Sequence, residues 1–141
     1  MFIFTTDYLQ LAHGPEPDIL VGTWLRFVTL AELQAGYEAV RDAGVRFRAP
    51  RWLMDLQHRQ LPLPTEYGHW LHDLFLPSLY AHFAEPVRMA CLMSAAQFTD
   101  VWQNPVSTAN AQLLTHPERP FHLALFTNES EALQWLTQET V

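Results

Sequence analysis

The chain has 141 residues, of which 8 are basic and 15 acidic, for a formal net charge of −7; apolar residues make up 49% and aromatic residues 13%. A chain of this length buries about 70% of its unfolded surface, so it needs no disulfide or metal to fold, and its apolar content excludes a disordered polymer. All eight basic residues are arginines, and the densest group, Arg46, Arg48 and Arg51, is too short to track a phosphate backbone, which disfavours nucleic acid and anionic membrane surfaces as partners.

The N-terminal stretch "MFIFTTDYLQ" lacks a basic segment followed by a long apolar core, so it does not read as a signal peptide. Residues 8–13, "YLQLAH", alternate and predict a strand. The turn signal "GPEP" at 14–17 leads to a longer strand over 18–28, and the two form a hairpin. The period then changes. Thr29 with Glu32 three residues on makes a capping box. Leu30, Leu33, Tyr37 and Val40 recur at helical spacing, and Gly44 stands where a C-terminal cap belongs.

Residues 51–56, "RWLMDL", predict a short buried strand, and Pro62 and Pro64 break the loop after it. The segment from Thr65 to Phe83 predicts a helix with Trp70, Leu71, Leu74 and Phe75 on its apolar stripe, kinked or split at Pro77. "VRMACLM" (87–93) is nearly continuous apolar sequence, as an interior parallel strand requires. It holds the single cysteine, Cys91, whose default role is that of a small buried hydrophobe. Ser94 and Gln97 form a second capping box before Phe98, Val101 and Trp102. Residues 104–120 are ambiguous, with one short helix as the reading they allow; 121–127 predict a strand, and Asn128 with Glu131 caps a last helix carrying Ala132, Leu133, Trp135 and Leu136.

The order β-β-α-β-α-β-α-β-α predicts one α/β domain over 1–141. Its single five-stranded sheet is mostly parallel, with an antiparallel N-terminal hairpin strand and about four helices. No repeat or linker interrupts it, and no apolar run approaches the ~18 residues needed to cross a bilayer. A cytoplasmic protein without membrane insertion is the expectation.

The stretches "WLMDLQ" (52–57), "YGHWLHDLFLPSLY" (67–80), "VRMACLM" (87–93) and "FHLALFTNESEALQWL" (121–136) carry a family resemblance. The chain resembles STAS-like proteins with the fold of the sporulation anti-sigma-factor antagonist (SpoIIAA-like), and more closely a group of uncharacterised bacterial proteins of that type. The resemblance implies a SpoIIAA-like architecture. In signalling members a strand ending in Asp-Leu leads to an Asp-Ser-Ser-Gly turn whose serine is phosphorylated. Asp55-Leu56 matches the first half of that pattern. The second half is absent, since the loop reads "QHRQLPLPTEYG" and Thr65 is the only hydroxyl near the helix start. Thr65 is therefore the candidate phosphoacceptor.

Asp55 ends a strand at the carboxyl edge of the sheet, where open α/β sheets hold ligands. The competing expectation is that it accepts hydrogen bonds from loop amides. His69, His72 and Asp73 sit at helical spacing, with His58 in the preceding loop, but "HWLHD" lacks the zinc-hydrolase spacing and a third ligand. No metal and no cofactor is expected. There is no Gly-x-Ser-x-Gly elbow, no glycine-rich phosphate loop and no lysine.

The leading expectation is a non-enzymatic regulatory or protein-interaction module that contacts an unknown protein through Asp55, Thr65, Glu66 and Trp70. A homodimer is a further expectation. The first alternative is a binding protein for a small apolar, lipid-like ligand, held in a pocket lined by Trp70, Phe75 and Leu79 under the helix 65–83. The second is a small enzyme with Asp55 and His58 or His69 as an acid–base pair.

Overall fold

The alternation in the first half of the chain lays down three antiparallel strands in a computed structural model that describes residues 2–15, 18–59, 65–115 and 121–138. β1 (Phe2–Thr5) pairs with β2 (Leu9–Pro15), which pairs with β3 (Asp18–Trp24). β3, β4 (Arg51–Asp55), β5 (Arg88–Leu92) and β6 (His122–Phe126) then run parallel. The six strands lie in the sheet in the order of the chain.

The expected mixed α/β sheet is present, with one strand more than the five expected. β1 is the addition: "FIFT" is a strand because β2 offers it an edge, with a register shift between Phe2 and Phe4. β3 stops at Trp24, four residues short of the expected end. The chain leaves the sheet there, and Arg26 forms ion pairs with Asp7 and with Glu32, the N3 residue of the next helix. The guanidinium holds the Glu32 carboxyl down at about 2.

The first helix, α1 (Leu30–Phe47), begins at the expected Thr29–Glu32 capping box. It does not end at Gly44. The helix continues to Phe47, and Arg48 closes it in the left-handed conformation (φ 53°). Gly44 serves packing instead: a Cβ there would stand 3.1 Å from the Trp52 ring. The expected helix 65–83 is broken into pieces. α2 (Thr65–Trp70) runs into a π-helical turn (Leu71–Phe75), then α3 (Leu76–Ser78) and a 3₁₀ turn (Leu79–Ala81). Pro77 has no N–H to donate, and the wide turn before it lets the Leu76 N–H bond to the Leu71 carbonyl. α4 (Ala95–Gln103) starts at the Ser94–Gln97 box, and the ambiguous segment after it folds as α5 (Pro105–Leu114). Asn104 caps α5 and Pro105 takes its first turn, a pairing visible as "NP" in the sequence. α6 (Glu129–Thr137) is capped by Asn128 as expected.

The period of two divides the strands between two cores. Leu20, Trp24, Trp52, Met54, Met89, Cys91 and Leu125 face α1 and the helices that follow it. Ile19, Leu53, Ala90 and Leu92 face Ala132 and Leu136 of α6 on the other side. At the centre of the larger core, Trp24 and Tyr37 lie 5.1 Å apart, and Tyr37 and Phe75 lie 5.3 Å apart, by ring centroids. Gly36 lets α1 approach this cluster, since a Cβ there would fall 2.5 Å from Trp24 Cη2. A rigid indole cannot yield as a flexible chain would. Gly36→Ala is therefore expected to destabilise the fold by about 1–3 kcal/mol, despite the better helix propensity of alanine, seen as a lower urea midpoint at unchanged m-value.

Candidate functional site

The expected acid, Asp55, ends β4 and turns its carboxylate on its own loop: Oδ1 accepts from the Gln57 N–H at 3.0 Å. Of the two readings of Asp55, the loop-amide one describes this geometry. The turn continues with the Leu56 N–H on the Leu92 carbonyl and the Arg59 N–H on the Leu56 carbonyl. Gln97, buried in the first turn of α4, then clamps the loop. Its amide Nε2 donates to Leu56 O and to Arg59 O, each at 2.7 Å, and its Oε1 accepts from the Ser94 N–H. The capping box that starts α4 thereby fixes the backbone of residues 56–59.

What this loop delivers is Arg59. Its side chain is only 4% exposed. The guanidinium lies over the Trp24 ring, 5.3 Å from the centroid. Nε and Nη1 are buried and have no hydrogen-bond partner among the described residues, as is also true of Trp24 Nε1 and His72 Nε2. In the sequence Arg59 is one of eight arginines and belongs to no motif. Nothing local marks it as buried, since its described neighbours Gln57 and His58 are polar and exposed.

Arg59 borders a cavity of about 90 Å³ between the sheet and the helices. Its floor is Cys91 and Met93 from β5 and the residues just after it, with Leu123 and Leu125 of β6; Gly68, Leu71, Val101, Ala111 and Leu114 of the helices line its other side. Tyr37, Ser107 and Asn110 are its polar neighbours beside Arg59. Gly68 permits the contact of α2 with α5, because a Cβ there would run into Asn110 Oδ1. Burial raises the Tyr37 hydroxyl above its ordinary range, with the Arg59 charge opposing that shift. Burial likewise pushes the Cys91 thiol up to about 12.

The cavity is not where the sequence put it. Phe75 and Leu79 are packed in the main core, and Trp70 is half-buried, stacked on Phe75 at 5.4 Å. None of the three borders the cavity. Glu66 is exposed on α2. Thr65 opens α2, and its side chain, like residues 60–64, lies outside the described residues. His58 is exposed, and His69 Nδ1 stands 3.8 Å from Asp73 Oδ2, so among the described residues neither histidine pairs with Asp55. His72 Nδ1 reaches Asp73 Oδ1 at 2.5 Å. No group of three or more histidine, cysteine, aspartate or glutamate side chains poised for a metal occurs among the described residues, nor does a helix long and apolar enough to cross a membrane.

No family model matches the chain, and no curated protein matches it. Among solved structures, it is similar to an uncharacterized protein from the DUF3478 family with a SpoIIAA-like fold, from Shewanella loihica PV-4. The identity is 14% and the TM-score 0.49, over 95% of this chain and 98% of that one.

Two outcomes test the site as built. Gln97→Leu strips Arg59 O of its hydrogen bond and is expected to cost about 1–3 kcal/mol in denaturant unfolding. Cys91 in the native protein is expected to resist a disulfide reagent at pH 8, because its thiol stays protonated there, whereas the unfolded chain reacts; rapid stoichiometric labelling of the folded protein would contradict the burial.

Proposed function

We propose that the chain is a non-enzymatic binding module that holds a small, largely apolar ligand in the cavity beside Arg59. The observation that carries this reading is the cavity itself, apolar on most sides and bordered by Arg59, whose buried Nε and Nη1 have no hydrogen-bond partner among the described residues. Native interiors are packed closely enough that a void of this size, bordered by a charge, calls for an occupant. Its place fits as well: it lies toward the carboxyl ends of β5 and β6, the edge at which open α/β sheets take ligands.

The chemistry of the lining favours holding over reacting. The Cys91 thiol is far from its nucleophilic form, and the Tyr37 phenol is held neutral by burial. The protein-contact reading through Asp55, Thr65, Glu66 and Trp70 has less geometric support, because the Asp55 carboxylate is occupied by its own loop and the Trp70 ring by Phe75.

A neutral probe tests the reading without involving the cation. Titration with n-butanol, followed by methyl NMR, is expected to give saturable shifts at Leu71, Val101, Leu123 and Leu125. Ala111→Leu, which fills the space, is expected to remove those shifts while the protein keeps its fold. Shifts scattered over the surface, or none, would defeat the proposal.

A further inference from the structure

Resting on the binding reading above, we infer that the ligand is a short-chain monocarboxylate whose carboxylate pairs with the Arg59 guanidinium while its hydrocarbon part fills the cavity.

Three observations lead there. A guanidinium stays charged under any conditions in which the protein folds, so a buried one needs a counter-charge or a full set of acceptors. Arg59 is 4% exposed, and its Nε and Nη1 have no acceptor among the described residues. The Trp24 face offsets part of the cost of burial but accepts no conventional hydrogen bond from these atoms. The missing group is therefore an anionic acceptor.

The surroundings select among anions. Among the described residues one cation borders the cavity, and the remaining lining is mostly apolar. A single negative charge neutralises the site, whereas a phosphate dianion would leave an excess charge in apolar surroundings, inside a chain whose formal net charge is already −7. A carboxylate matches the planar fork of arginine. The neutral Tyr37 hydroxyl at the same cavity is a donor suited to a carboxylate oxygen. Size sets the tail. The cavity, about 90 Å³, is smaller than the ~150 Å³ void that admits a benzene ring, which limits the hydrocarbon part to about two to four carbons.

The experiment compares butyrate, n-butanol and inorganic phosphate at neutral pH by methyl NMR titration of the intact chain. Butyrate is expected to bind at least about tenfold more tightly than butanol, the increment of a charge-assisted hydrogen bond. Phosphate is expected not to displace it. Arg59→Met is expected to abolish the preference for butyrate, retain butanol binding, and raise the melting temperature of the ligand-free protein, because an unpaired buried charge has been replaced by an apolar chain of similar shape.

If butanol binds and butyrate binds no better, the carboxylate assignment falls while the binding reading stands. If phosphate competes as well as butyrate, the site takes anions in general and the assignment also falls. If neither butanol nor butyrate binds, both readings fail. The comparison of butyrate with butanol uses the unaltered protein, so it decides the matter even if the Arg59→Met chain does not fold.

Discussion

Strands β3 to β6 run parallel and lie side by side in the order in which they are made. Right-handed crossovers that step one way along a sheet all land on the same face. The helices from α1 to α5 therefore crowd one side, and α6, which follows the last strand, closes the other. Every loop leaving a parallel strand emerges at one edge of the sheet. The Asp55–Arg59 loop and the start of α4 after β5 are thus neighbours by construction, and Gln97 can tie them together.

The same arrangement explains why the cavity lies where it does. Under α1 the sheet presents Trp24 and Trp52, and these indoles with Tyr37 and Phe75 fill the layer between sheet and helix. Toward β5 and β6 the sheet presents Cys91, Leu123 and Leu125 instead, and the facing helices present Ala111, Ser107 and Gly68. Helices cannot sink indefinitely toward a sheet, because their backbones keep a minimum separation. Side chains of this size leave a void. The wide π-helical turn at Leu71–Phe75 borders that region through Leu71. Such turns cost helix regularity and are frequent at functional sites.

Burial of Arg59 is the energetic counterpart of the void. A guanidinium whose Nε and Nη1 are buried with no partner among the described residues lowers stability, and the fold retains it against that cost. The backbone that carries it has its carbonyls and amides bonded through Asp55, Leu92 and Gln97, so the side chain is presented by a rigid support.

Local chemistry alone was enough to specify much of this molecule. The Thr29 and Ser94 capping boxes, the Asn128 cap, the two-residue alternation of β2 and β3 and the apolar run of β5 each depend on residues within one turn or one strand, and each reads directly from the sequence. The mixed α/β class follows from their order. Packing decided the rest. β1 is a strand only because β2 offers it a partner, and Gly44 is a packing residue because a tryptophan eight positions along folds back over it. The buried state of Arg59 depends on Trp24, Tyr37 and Gln97, which lie far from it in the chain. No periodicity encodes such a meeting, so an arginine that nothing local marks as buried comes to lie inside the fold, beside the cavity, only once the sheet brings those segments together.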